Sequence, residues 1–325
     1  MLKLKYLFEN YPLAKEALKN WPHDEEDLDK LLSRFRISSN AIYPFKSSGK
    51  LAFLRLAPIS EKLEKNIRGE LEFIDYLCEN DFPALVPMKS LGGETLLVLD
   101  TAWGEYYASA FWSVEGVQIE NTDFSDGIMR EYGASLGRLH SLSSAYEPRI
   151  RKWSHEDALE WIKGVLLRYQ APPCALRELE SLKSALSSLE RTPRNYGLVH
   201  YDYEPDNVFY LPEKNKCSAI DFDDGMYHWY ALDCCQVFES LEDCLPEDGA
   251  KRAKEKFIEG YREHYSYGSN EESLLKPMSR FINLFGYARI IRSVHEAFEN
   301  EPEWLTELRK KLERFISEKE GRFGE

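Results

Sequence analysis

The stretch "GLVHYDYEPDNVFYLPEKNKCSAIDFDDG", residues 197–225, decides how the rest of the chain is read. It sets Asp202, Asp206, Asp221 and Asp223 beside the short apolar runs GLVH, NVFYL and CSAID. Carboxylates do not crowd against apolar strands unless a cation or a reaction holds them there. NVFYL and CSAID are joined by PEKNK, a segment with turn chemistry, and a hairpin brings its two open ends together. Asn207 precedes the first strand and Asp221 ends the second, so the two are expected side by side. Two oxygen-bearing side chains at one hairpin end suit a hard cation of the Mg²⁺ type, which takes one or two protein oxygens and completes its shell with water and phosphate. Asp202 stands five residues before Asn207 and is expected to reach over the same site as a base.

Metal ligands, a base for the attacking hydroxyl and a cation for the other phosphates are the parts that phosphoryl transfer needs. The run HYDYEPDN, then IDFDD, then ALD resembles the aminoglycoside phosphotransferase/choline kinase family of small-molecule kinases, and LGRLH at 136–140 is similar to that family's helix-ending leucine-histidine signature. The likeness runs from about residue 36 to the C-terminal helices and is densest over 197–233. It implies an α+β, protein-kinase-like bilobal fold, with ATP (or GTP) and Mg²⁺ as cofactors and a hydroxyl of a small molecule as acceptor.

The resemblance also implies roles. Asp202 would be the catalytic base or hydroxyl orienter, with His200 bracing the loop. Asn207 and Asp221 would hold Mg²⁺ against the phosphates. Asp233 would anchor the catalytic loop through its backbone, and His140 would be a structural histidine at a helix end. Such kinases carry a basic residue on the third strand paired to an acid on the next helix; here these are Arg55 and Glu70. The family usually has lysine at that strand position. Arginine keeps the charge but is wider and forked, so Lys50 and Lys46 on the adjacent turn are alternative cations. The loop RISSNAIY has no glycine, and Ser38, Ser39 and Asn40 are expected to offer backbone N–H groups to phosphate. Asp223 stands where protein kinases have glycine, which tips the reading away from a protein kinase.

The chain has 325 residues, 43% hydrophobic and 13% aromatic, enough for a packed core in two lobes. A formal net charge of −14 argues against nucleic acid or an anionic membrane as partner and is compatible with a cationic acceptor. No apolar run approaches the roughly 18 residues of a membrane helix, and the N-terminal segment is a poor signal peptide. The 6 cysteines show no paired ligand spacing, which with the size of the chain points to reduced thiols and a cytoplasmic protein. SSGK at 47–50 lacks the upstream glycine of a P-loop and leads into a strand, so it is rejected as one.

SRFRISSNAIYPF and KLAFLRLAP read as strands around the turn KSSGK, followed by a helix over SEKLEKNIRGELEFIDYLCEN with Ser60 as N-cap. ALVPMKS and TLLVLDTA read as further strands. Apolar stripes then predict helices through Leu136 and Leu139, through Leu159, Ile162 and Leu166, and at the C-terminus through Leu305, Leu308, Leu312 and Phe315. The predicted division is a β-rich lobe over 1–101 and a helical lobe over 102–325, the latter holding the catalytic loop 198–207, the metal-binding segment 221–224 and, after residue 240, the acceptor pocket. The acidic run ESLEDCLPED (Glu239, Glu242, Asp243) is a candidate wall for a cationic acceptor or, more simply, a solvated helix face. Two other readings stand beside the small-molecule kinase: a serine/threonine protein kinase of bacterial stress-kinase type, and a non-catalytic nucleotide-binding relative.

Overall fold

Residues 1–296 and 301–324 are described by the computed structural model. The first part of the chain runs α1 (Tyr11–Leu18), α2 (Leu28–Leu32), β1 (Arg36–Ile37), β2 (Ala41–Ser47), β3 (Lys50–Pro58), α3 (Glu64–Glu79), β4 (Pro87–Met88), β5 (Leu97–Thr101) and β6 (Gly104–Trp112). After β7 (Val117–Gln118) come α4 (Asp126–Ala145), α5 (His155–Arg168) and α6 (Pro173–Ser187). The strands β8 (Tyr196–Val199), β9 (Val208–Leu211), β10 (Lys216–Ala219) and β11 (Met226–Trp229) lead into α7 (Ala231–Cys244), α8 (Glu247–Tyr261), α9 (Ser269–Val294) and α10 (Glu303–Gly321). This is the α+β bilobal arrangement expected from the sequence.

The small lobe is one antiparallel sheet ordered β1-β2-β3-β6-β4, with β5 paired to β6. Its β2–β3 hairpin turns through Ser48 and Gly49, both at positive φ (51° and 76°), the twist a two-residue hairpin favours. The Asp24 carboxylate accepts from both turn amides at 2.9 and 2.7 Å. Side chains alternate along β3: Ala52, Leu54 and Leu56 pack with Phe45 and Leu18 in one core, so Arg55 faces the other way, towards α3.

Three details differ from the sequence reading. The sheet does not stop at residue 101, because β6 pairs with β3 and β5 and carries the lobe on to Trp112. The aromatic segment beginning at Trp103 is therefore largely a sheet strand. Ser60 lies in the short 3-10 turn Ile59–Glu61, and α3 starts later, after Leu63, with no side-chain cap. In α10, Leu305 and Leu312 are buried while Phe315 is 38% exposed, so the buried stripe is narrower than its periodicity suggests.

In the large lobe β8 pairs with β11, while β9 lies between β10 and β7. The SHED capping box forms at the start of α5, with Ser154 and Asp157 bonding each other's backbone N–H. Among the described residues no helix is long and apolar enough to cross a membrane.

Candidate active site

β9 and β10 pair as the turn chemistry demands, with Val208 opposite Ala219, and the Ile220 N–H donates to the Asn207 carbonyl at 3.0 Å. Asn207 and Asp221 thus flank the open end of one hairpin. Asp221 adopts φ 64°, a left-handed conformation that an L-residue other than asparagine or aspartate rarely takes, and the chain swings from β10 into the turn Phe222–Asp224. Asn207 Nδ2 donates to the Asp202 carbonyl at 3.1 Å, which ties the residue expected as base to the residue expected as metal ligand.

The loop before β9 is held from behind. Asp233, fully buried, accepts the backbone N–H of His200 and of Tyr201, each at 2.8 Å. His140 Nε2 lies 3.0 Å from the same carboxylate, and His140 Nδ1 lies 2.7 Å from the Tyr261 hydroxyl. His200 Nε2 is 2.9 Å from the Ile220 carbonyl, and its Nδ1 accepts the Asp202 N–H at 3.2 Å. Burial pushes the His200 imidazole down to about 4, so it stays neutral and serves as a two-sided clamp between the loop and the hairpin.

The charge balance says what belongs here. Burial, then Asp223 and Asp224, push the Asp221 carboxyl up to about 7, although Arg55 pulls it down. Burial, Asp221, Glu204 and Asp224 raise Asp202, against Arg289. A cluster of oxygens with more negative charge than its neighbours neutralise fits a hard divalent cation, and Asn207 and Asp221 are the residues that would hold it. No group of three or more His, Cys, Asp or Glu among the described residues is arranged to hold a metal by itself.

Arg55 and Glu70 meet in a buried, two-pronged ion pair, with N–O distances of 2.7 and 2.9 Å. Arg55 Nε also donates to Ser109 at 3.2 Å, and the guanidinium lies over Phe111. Lys46 and Lys50 sit by the hairpin turn, four residues along the strand from Ile42 and five from Arg55 respectively, so they are not its substitutes. In the loop ahead of β2, the Ser38 N–H is engaged by the Asn40 carbonyl, Ser39 Oγ accepts from Arg289 at 2.9 Å, and Asn40 Nδ2 donates to Asp223 at 3.0 Å.

Three side chains of the site carried no signal in the sequence. Lys62 forms an ion pair with Asp223. Buried Lys152 donates to the carbonyls of Phe222 and Asp223 at 2.8 and 2.9 Å and so shapes that turn. Arg289 of α9 pairs with Asp224 at 2.7 Å. Against the cost of burial, which raises both carboxyls, Lys62 with Arg55 holds Asp223 below the usual range, and Arg289 does so for Asp224. A cavity of about 550 Å³ opens beside Lys62, Asp223, Asp224 and Arg289, with Trp161 and Tyr169 on its far wall.

The geometry can be set beside known proteins. A model described as the phosphotransferase enzyme family matches residues 36–273. The chain belongs to that family. It is 23% identical over 322 residues to the amicoumacin kinase of Bacillus subtilis (strain 168), covering 90% of this chain and 92% of that protein. Among solved structures, an amicoumacin kinase in complex with AMP-PNP, Ca²⁺ and Ami matches at TM-score 0.78 with 20% identity, covering 98% of this chain and 95% of the other. A microcompartment-associated aminopropanol kinase matches at TM-score 0.66 with 19% identity, covering 97% and 100%. For this phosphotransferase, the fold and enzyme class expected from residues 197–233 therefore hold.

Proposed function

We propose that this phosphotransferase moves the terminal phosphoryl group of ATP, or of GTP, to a hydroxyl of a small molecule, with Asp202 accepting or orienting the hydroxyl proton. The observation that carries the reading is the single cluster made by Asp202, Asn207 and Asp221, drawn from two separate bends of the chain and clamped by His200 and Asp233. Mg²⁺, held by Asn207 and Asp221, would supply charge neutralisation on the phosphates. Arg55, fixed by Glu70, is the cation on the sheet side, and the loop Ser38–Asn40 covers the phosphates.

The relatives' names support an acceptor class. Their names specify amicoumacin and aminopropanol. A hydroxyl compound bearing an amine is supported here by the carboxylates beside the catalytic loop: Glu204 is pushed up to about 7 by burial and by Asp206, Asp243 and Glu239. Two of these belong to the acidic run on α7, where Glu239 is half-buried while Glu242 and Asp243 are exposed. The formed Arg55–Glu70 pair speaks against a non-catalytic relative.

The test is an ATP-consumption screen over hydroxylated antibiotics, amino-alcohols and sugars, run beside Asp202→Ala. The variant is expected to lose about 10²–10⁴-fold in turnover, the scale of general-base catalysis, while its melting temperature and nucleotide binding persist. Wild-type turnover by Asp202→Ala would overturn the assignment, and transfer to protein acceptors only would favour a protein kinase.

A further inference from the structure

The catalytic loop DYEPDN holds three carboxylates and no basic residue, so it brings no positive charge of its own to the phosphoryl group it handles. Transfer spreads charge over three phosphoryl oxygens, and a cation preorganised at that point is a large source of rate. The other cations nearby each serve a single part of the site. Arg55 is held by Glu70 and Ser109, Lys62 pairs with Asp223, and Lys152 is spent on two carbonyls.

Arg289 differs in its placement. From α9 it touches Ser39 in the loop over the phosphates and Asp224 at the end of the metal-binding turn, at 2.9 and 2.7 Å. Its charge also acts on Tyr201 and Asp202 in the catalytic loop. Two of the three elements that bound the reacting phosphoryl group thus touch one guanidinium, and the third lies within reach of its charge. Phe285, one turn earlier in α9, lies under it with 5.5 Å to the ring centre. A planar fork is suited to gripping two phosphoryl oxygens at once.

Resting on the phosphotransfer reading above, we propose that Arg289 is a catalytic residue that contacts the phosphoryl group in flight, exchanging its bond to Ser39 for phosphoryl oxygens. In that step a lone pair of the acceptor oxygen forms the new P–O bond. The bond to the β-phosphate breaks with its electron pair leaving on the nucleoside diphosphate, the hydroxyl proton passes to the Asp202 carboxylate, and Arg289 keeps its protons throughout.

The experiment needs no acceptor. Affinity of the full chain for Mg·ADP is compared with and without aluminium fluoride, which mimics the phosphoryl group between donor and acceptor. Wild type is expected to bind ADP more tightly with the fluoride. Arg289→Met is expected to lose most of that gain, on the order of 10²-fold, the scale of one donor aimed at developing charge, with affinity for Mg·ADP alone unchanged. Arg289→Gln should lose it too, and Arg289→Lys should keep part. A full gain in folded Arg289→Met or Arg289→Gln overturns the proposal, as does an equal loss for both ligands, which marks a purely structural cation. A wild-type chain that binds neither ligand overturns the phosphotransfer reading itself and this assignment with it.

Discussion

Asp221 illustrates how a buried carboxylate weakens the fold that carries it. Its carboxyl rises from 3.8 to about 7, so between those values the folded chain holds a proton that the unfolded chain has released. Stability contributed by this group therefore falls as pH rises through that window. Asp221→Asn removes the effect, and without metal it is expected to melt above wild type at about pH 8, with the difference shrinking towards about pH 5. Calorimetric scans at both values check this; an equal difference at the two would sink it. Mg²⁺ with nucleotide should then stabilise wild type and leave the variant almost unmoved. Glu70 is the opposite case, a partner whose loss strands a buried charge. Glu70→Gln leaves the Arg55 guanidinium uncompensated and is expected to cost about 3–5 kcal/mol in urea denaturation. The Arg55–Glu70 pairing was legible only through the family resemblance, which puts a base on the third strand and an acid on the next helix, and the buried ion pair forms as expected.

Between elements, the contact that matters most for the site lies outside it. α4 and α8 cross so closely that a Cβ on Gly133 would stand 1.9 Å from the Phe257 carbonyl oxygen, and one on Gly137 would stand 2.4 Å from that of Tyr261. Only glycine allows the approach. The approach in turn sets Tyr261 against His140, which holds Asp233, which holds the loop before β9. Gly133→Ala is expected to lower stability by about 1–3 kcal/mol, as overpacking does, and to reduce turnover by loosening this chain of bonds. Gly127→Ala, in the same helix but facing open space, serves as the control and should leave both nearly unchanged. Thermal melting of the pair decides it, and equal melting temperatures would refute the argument. The apolar period in Leu136 and Leu139 announces α4 from the sequence, yet nothing in that period names α8 as its partner.

Across the whole molecule the two lobes share an apolar core in which Phe73 of α3 meets Phe222, and polar groups bridge them beside it. Asp223 receives Asn40 and Lys62 from the small lobe, and Ser39 receives Arg289 from the large one. Phosphates entering under the loop would compete for the same donors, so lobe closure and nucleotide binding draw on one set of contacts. Lys62→Met deletes the buried cross-lobe ion pair and is expected to speed amide exchange at residues 38–40 while α4 and α8 stay protected. Unchanged exchange in that loop would show that the contact does not hold the lobes. At this scale β6 carries the small-lobe sheet past the expected boundary at residue 101, because it pairs with strands on both sides and a pairing partner is chosen by the assembled sheet.

What the sequence determined by itself was short-range. The hairpin with Asn207 and Asp221 at its mouth, the Asp202 loop before it and the amphipathic helices around it all follow from turn chemistry and side-chain periodicity, which act over a few residues. The neutralisation of those carboxylates was decided only by tertiary structure. Lys62 reaches the Asp223 carboxylate across 161 residues, Lys152 donates to the Asp223 backbone carbonyl across 71, and Arg289 pairs with Asp224 from α9. No local pattern encodes such meetings, because a surface lysine and a cleft lysine look alike until packing places one of them beside a buried charge.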